Sequence, residues 1–246
     1  MTYYKSIRIL ATSLLLATIV TVPANAQASA TADSPKVQVT VNSSQDGPIT
    51  PDEQLTLREA IAIINGTLTS ADLSAAEQQQ VAPSSGNSAI AFDLPAGDTT
   101  IELQSLLPVL AQPGLVIDGT TQPGYDTTKS ATAEILVAIP IVEITAASDT
   151  EVFRGLTIIA DDVTIRGLSL YWFTSKHRAT ESLPPADMFI SRSLSPLVLG
   201  QQYNSASNFA FNDENHSPQV IVIEQNWIGI PTDDSIPIQP YAFGVS

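Results

Sequence analysis

The 246-residue sequence contains no cysteine, which excludes disulfide bonds and thiolate metal sites. Basic residues are also scarce: ten Lys and Arg face 25 Asp and Glu, and the formal net charge is −15. A surface this acidic repels nucleic-acid phosphates and anionic lipid, so we expect no nucleic-acid partner. It is compatible with neutral glycans, with cations, or with solubility alone. Hydrophobic residues make up 43% of the chain and charged ones 14%, which excludes global disorder.

Long hydrophobic runs are missing except near the N-terminus. Lys5 and Arg8 precede an apolar stretch at residues 9–22, and the triplet A-N-A at residues 24–26 follows it. The stretch is shorter than the ~20 residues of a membrane span, which argues against the alternative of a membrane anchor. The pattern predicts a signal peptide at residues 1–26. We therefore expect an exported protein, periplasmic, outer-surface or secreted, with no transmembrane segment after signal removal.

After the signal peptide, the sequence predicts a flexible tail at residues 27–35 and one domain at 36–246. The domain begins with a cap at residues 36–66, which combines a strand of alternating valines with one helix. Two polar stretches, residues 67–87 and 174–216, are interpreted as insertions, and the first holds a weak helix at 71–81.

The helix is predicted at residues 55–66. Thr56 and Glu59 have the spacing of a capping box, and Asn65 with Gly66 supplies a left-handed stop. Its apolar residues fall on one stripe, formed by Leu57, Ala60, Ile61 and Ile64. A single stripe suits a lid over the end of a β core, and packing on a sheet face is the alternative.

Short apolar runs punctuated by Gly, Pro, Asp and Asn predict strands rather than helices. Tight Asn-Gly hairpin turns between alternating strands are missing. The expected strands cover residues 36–42, 89–93, 100–103, 115–118, 135–145, 156–159, 163–171 and 219–223.

The stretch at residues 152–172 contains the motif Arg-Gly-Leu twice, at Arg154 and Arg166. Its apolar alternation shifts phase at Gly167, as in a strand that bends while keeping its apolar side chains inward. Asn226 interrupts a later aliphatic run, and Asn tolerates the left-handed backbone of a sharp bend. Both positions are therefore predicted to turn one strand into the next.

Five segments, in this order, resemble exported bacterial proteins, cyanobacterial ones included, that fold as right-handed parallel β-helices with an L-R-E-A-I capping helix. They are L-T-L-R-E-A-I (55–61), I-A-F-D-L-P (90–95), L-V-I-D-G-T-T-Q-P-G-Y (115–125), V-T-I-R-G-L-S-L (163–170) and N-W-I-G (226–229). The resemblance implies an all-β, single-stranded solenoid of the pectate-lyase-like superfamily, with an N-terminal strand and capping helix. That superfamily includes lyases, hydrolases and adhesins, so activity does not follow from fold.

Residues for chemistry are sparse, and the catalytic and metal residues are left unknown. The acidic pairs Asp161–Asp162 and Asp233–Asp234 are interpreted as turns, with a metal site as the alternative. Arg154 and Arg166 are expected to form an outward ladder paired with Glu151 or Asp162 rather than to act in catalysis.

The only basic cluster is Lys176, His177 and Arg178. With Asp187 and the aromatics Tyr171, Trp172 and Phe173 it could make a sugar-binding lip, and a loop that covers the coil is the preferred interpretation. His177 and His216 lack metal-ligand spacing.

We therefore expect a non-catalytic exported or cell-surface scaffold, adhesin-like, with glycan binding left open. The alternative is a carbohydrate-active enzyme, a polysaccharide lyase or glycoside hydrolase. No cofactor is expected, and calcium is the one ion left open. Extracellular polysaccharide or other surface proteins are the expected partners. Residues 242–246 read as the opening of another strand with no closing cap, so the sequence predicts a piece of a longer β-helix whose further coils are missing.

Overall fold

The computed structural model describes residues 35–130, 137–174, 185–191, 217–233 and 243–245. The predicted signal peptide, all of the predicted tail except Pro35, and the basic cluster at residues 176–178 lie outside these ranges. In the part of the chain that is described, no helix has the length and apolarity to cross a membrane.

The described chain consists mainly of short β-strands with two short α-helices. The helices are α1 (Leu57–Ile64) and α2 (Ala75–Gln78). The strands are β1 (Val37–Val41), β2 (Val81–Pro83), β3 (Ala89–Phe92), β4 (Thr100–Leu103), β5 (Val116–Asp118), β6 (Val142–Ala146), β7 (Arg154–Ile158), β8 (Thr164–Arg166), β9 (Leu168–Tyr171), β10 (Ala186–Ile190), β11 (Val222–Glu224), β12 (Trp227–Ile228) and β13 (Phe243–Val245).

The strands form three sheets, which we call A, B and C. Sheet A has the order β11-β8-β5-β3-β1-β2, sheet B the order β12-β9-β6-β4, and sheet C the order β13-β10-β7. All strand pairs are parallel except the edge pair β1–β2. From β5 to β13 the chain visits sheets A, B and C in rotation. The prediction of a sheet-rich chain of parallel strands is confirmed.

The register stacks aliphatic side chains in columns. In sheet A, Val39, Ile90, Ile117, Ile165 and Ile223 are register partners of one another in turn, and the first four are fully buried. A second column in sheet B is formed by Ile101, Ile144, Leu170 and Ile228. Branched side chains pack well on a pleated surface, and each fully buried one contributes roughly 1.5–3 kcal/mol. The two columns belong to one core cluster.

The phase shift predicted at Gly167 lies at the bend between sheets A and B. Gly167 has φ +69° and separates β8 from β9, so the predicted strand 163–171 is two strands in different sheets. A Cβ on Gly167 would lie 2.7 Å from the backbone nitrogen of Thr120, so this position needs glycine for space as well as for conformation. The bend predicted at Gly167 is confirmed.

The prediction for Asn226 is wrong in its mechanism. The left-handed residue between β11 and β12 is Gln225, with φ +56°. Asn226 instead uses its side chain: Oδ1 accepts from the backbone N–H of Leu168 at 3.0 Å, and Nδ2 donates to the carbonyl of Ile165 at 2.8 Å. Its side-chain amide therefore links the bend between β11 and β12 to the bend between β8 and β9.

Helix α1 confirms the capping box. The Thr56 hydroxyl accepts from the Glu59 N–H, and the Glu59 carboxylate accepts from the Thr56 N–H at 2.9 Å. Gly66 follows with φ +73°. The Arg58 side chain ties the helix to two other segments: it donates to Asp46 in the loop before the helix and to the carbonyl of Leu106 after β4, both at 2.7 Å.

Some strands were not predicted from the sequence, and others begin at residues other than the predicted ones. Strand β10 lies inside the stretch 174–216 that was interpreted as an insertion, and β2 lies inside the stretch 67–87, where it forms the antiparallel edge of sheet A. The strand expected from residue 135 begins at Val142. The strand expected near the C-terminus is present as β13 and pairs with β10.

Candidate functional site

The two arginines of the repeated motif have different surroundings, so the predicted outward ladder is wrong. Arg154 lies on β7 in sheet C and Arg166 on β8 in sheet A. Arg154 is buried, and its guanidinium carbon lies 3.6 Å from the centre of the Phe189 ring on β10. Burial lowers the pKa of Arg154 to about 10. Stacking on an aromatic ring offsets part of the cost of burying the cation.

Arg166 pairs with register partners rather than with the predicted Glu151 or Asp162. Its Nη2 lies 2.6 Å from Asp118 on β5, and its Nη1 lies 3.8 Å from Glu224 on β11. Burial acts to raise the pKa of Asp118, but hydrogen bonds from Arg166 and Thr120 outweigh it, so that this pKa is lowered. The three residues form a charge column across sheet A, which suits a structural ion pair.

The pair Asp161–Asp162 lies in a turn, as predicted. Asp162 has φ +58°. The Asp161 carboxylate accepts from the N–H of Gln219 at 2.7 Å, and its backbone carbonyl accepts from the N–H of Gly114 at 3.1 Å. Asp161 thus joins the loops that precede β5, β8 and β11. Among the residues described, no group of three or more His, Asp or Glu could hold a metal ion, and Asp234 is outside them.

The three consecutive aromatics at the end of β9 separate into two buried rings and one exposed ring. Phe173 is fully buried in the core. Tyr171 is 6% exposed, and burial followed by a hydrogen bond to Glu143 raises its pKa. Trp172 is 47% exposed, and its ring meets that of Tyr171 edge-on at 5.1 Å. Only Trp172 can therefore offer a ring to a ligand.

The backbone of Trp172 is in the left-handed region, with φ +66°. A bulky residue in this region is an outlier that costs on the order of 1–3 kcal/mol and persists where the surroundings enforce it. The conformation lies at the point where the chain leaves β9 and turns out of sheet B. It holds the indole at the surface while Tyr171 and Phe173 on either side point into the protein.

Trp172 forms one wall of a surface cleft of about 370 Å³. The other wall is the segment that begins at the end of β6 and runs toward β7. The lining is Ala146, Ala147, Ser148, Asp149, Thr150, Glu151, Val152, Trp172 and Thr174. We call this the Trp172 cleft. Its volume is within the range of small-ligand sites, and its walls combine apolar surface with hydroxyls and carboxylates.

The polar groups of the Trp172 cleft fit recognition of a hydroxylated ligand. The Thr174 hydroxyl oxygen is buried and has no hydrogen-bond partner, which costs free energy unless a ligand or water satisfies it. Asp149 is exposed. An indole face beside hydroxyls and a carboxylate can stack on a sugar ring and hydrogen-bond its hydroxyls. Sequence reasoning named Trp172 but missed Asp149 and Thr174; the only local signal was a small polar run after β6.

Asp187 is not among the residues that line the cleft, so it does not take the place it would have in a sugar-binding lip, the alternative to the preferred covering loop. It lies on β10 and is 2% exposed. Burial raises its pKa to about 7, although the backbone N–H of Phe173 acts to lower it. Its Oδ1 has no hydrogen-bond partner. The basic residues of that alternative, Lys176, His177 and Arg178, lie outside the described residues, as does His216.

Comparisons with known proteins give this chain no relative: no family model, no curated protein and no solved structure matches it.

Proposed function

We propose that the protein is an exported, non-catalytic scaffold of the parallel β-helix type that binds saccharide at the Trp172 cleft. The observation that carries the proposal is the exposed indole of Trp172, held in a left-handed backbone at the mouth of a 370 Å³ cleft. Strained backbone of this kind clusters at ligand sites and persists only where the surrounding structure enforces it. An indole presented beside hydroxyls is suited to stacking on a sugar ring.

A single-stranded solenoid is the architecture that best accounts for the sheet topology. The rotation of the chain through sheets A, B and C and the in-register aliphatic columns support it. A stack of coils buries one continuous core. The buried side chains of the three sheets likewise pack into one cluster. The buried face of α1 belongs to that cluster, which supports its role as a lid over the first coil. The resemblance in the L-R-E-A-I and R-G-L-S-L segments supports a right-handed coil of the pectate-lyase-like type.

The charge column favours a scaffold over a lyase or hydrolase. A calcium-dependent lyase would need several carboxylates converging beside a free base, and a hydrolase would need two carboxylates that face one cleft. Across sheet A, Asp118 and Glu224 both use Arg166 as a counter-ion. The described part of the chain brings no further carboxylate to that column, and both of its carboxylates already pair with the Arg166 guanidinium. The N-terminal signal pattern supports export to the cell surface.

The test is incubation of the purified chain with a panel of neutral, cationic and acidic polysaccharides, with and without calcium. Binding is followed by co-sedimentation, and cleavage by new reducing ends and unsaturated products. We expect at least one polysaccharide to be retained and none to be cleaved. Trp172→Ala should lose retention, whereas the matched Trp227→Phe variant on β12 should keep it. Cleavage of any polysaccharide, or retention that survives Trp172→Ala, would overturn the proposal.

A further inference from the structure

The charge around the Trp172 cleft carries information about its ligand. Asp149 lies in the lining, is exposed, and makes no hydrogen bond or ion pair with any described residue. Glu151 is a second acid in the lining. None of the nine described lining residues is Lys, Arg or His. A carboxylate that faces solvent in a cleft attracts a cation and repels an anion.

The wall behind the indole is also negative. The Tyr171 ring, 5.1 Å from that of Trp172, lies beside Glu143, which in turn accepts from the Thr232 hydroxyl at 2.6 Å. Glu143, Asp233 and Glu102 all act to raise the pKa of Tyr171 through their charge. Both the lining and the surface behind the indole therefore disfavour a ligand that carries carboxylates.

We infer that the Trp172 cleft selects amino-sugar residues with a protonated amine and rejects uronic acids. This rests on the proposed saccharide site and adds the ligand's chemical class. A protonated amine can form a charge-assisted hydrogen bond with Asp149 and gains cation–π attraction over the indole. The buried Thr174 hydroxyl is available to a sugar hydroxyl. A uronate would place its carboxylate against Asp149, and none of the described lining residues would supply a counter-ion.

The experiment compares three oligosaccharides of equal length by isothermal titration at mildly acidic pH. They are oligoglucosamine, which is cationic, oligo-N-acetylglucosamine, which is neutral, and oligogalacturonate, which is anionic. We expect affinity to fall in that order. Asp149→Asn should weaken oligoglucosamine binding about 2- to 5-fold, as expected for an exposed charge pair, and leave the neutral oligomer unchanged. Higher salt should reduce only the oligoglucosamine affinity. The control is Asp93→Asn, an exposed carboxylate directly after β3.

The outcomes separate this inference from the proposed function. Equal affinity for the neutral and cationic oligomers, or no effect of Asp149→Asn, overturns the charge selectivity and leaves a saccharide site in place. Tightest binding of oligogalacturonate overturns it as well. If no oligomer binds, the saccharide site and its selectivity both fall. Loss of binding with Asp93→Asn would show that the charge effect does not arise in the cleft.

Discussion

The buried carboxyl of Asp187 gives the protein a pH-dependent stability that can be worked out from its surroundings. Burial raises the pKa of Asp187 to about 7 in the folded protein, whereas an unfolded chain has an aspartate pKa near 3.9. Between these values the folded state binds a proton that the unfolded state has released. Stability therefore decreases as the pH rises through this interval, which is opposite in sign to the contribution of an ion-paired carboxylate such as Asp118.

The magnitude follows from the width of that interval. At ~1.4 kcal/mol for each pH unit, an interval from about 4 to about 7 corresponds to on the order of 4 kcal/mol of unfolding free energy. Asp187→Asn removes the titration. The buried amide adds a cost of roughly 1–3 kcal/mol, but this cost is the same at every pH. The diagnostic quantity is thus the pH dependence of the difference between the two proteins.

The assay is urea unfolding followed by circular dichroism at several pH values from about 4.5 to about 8, with free energies from linear extrapolation. The free energy of unfolding of Asp187→Asn minus that of the unsubstituted protein should increase by about 2–4 kcal/mol from the lowest to the highest of these pH values. The corresponding difference for Asp93→Asn, which alters an exposed carboxylate, should stay nearly constant over these pH values. A constant difference for Asp187→Asn as well would refute the reasoning, because it would mean that the folded protein ionises Asp187 as readily as the unfolded chain does.

Three further predictions test the bends and the cleft. Gly167→Ala should lower the free energy of unfolding in urea by about 3 kcal/mol or more, because its Cβ would lie 2.7 Å from the Thr120 nitrogen. Gly97 also has positive φ but has open space around it, so Gly97→Ala should cost only about 1 kcal/mol. Equal losses of stability in the two variants would show that the bend at Gly167 does not pack tightly against Thr120. Asn226→Ala should lower the free energy of unfolding by about 1–3 kcal/mol through two lost hydrogen bonds, and no change would exclude the proposed link between the two bends. Trp172→Gly should be at least as stable as Trp172→Ala because glycine relieves the strain of the left-handed backbone, and neither variant should bind saccharide. A glycine variant that is less stable than the alanine variant would argue against that strain.

Local signals explain which parts of the fold could be predicted from the sequence. The capping box at Thr56 and Glu59 and the stop at Gly66 each depend on residues only a few positions apart. The observed bounds of α1 therefore lie close to the predicted ones. The phase slip at Gly167 is also local, because a glycine can reverse alternation only by bending the backbone. Strand β10 was missed because A-D-M-F-I is short and carries Asp187, and a buried aspartate is rare enough that the pattern predicts an exposed loop.

Contacts between distant segments explain what could not be predicted. The burial of Arg154 depends on Phe189, which lies on a strand that the pattern did not reveal. The partners of Arg166 depend on the register between β5, β8 and β11, whereas the sequence suggested neighbours along the chain. The Trp172 cleft combines the end of β6 with the end of β9, so no local window contains it.

The central claim is that a saccharide binds against Trp172 and is not cleaved. The chain has two tryptophans, so Trp227→Phe leaves Trp172 as the only indole. Its fluorescence is followed during titration with oligoglucosamine, and the same samples are then examined by mass spectrometry. We predict a saturable change in emission with the oligosaccharide recovered intact. No change in emission would contradict binding at Trp172, and shortened oligosaccharide would contradict a non-catalytic role.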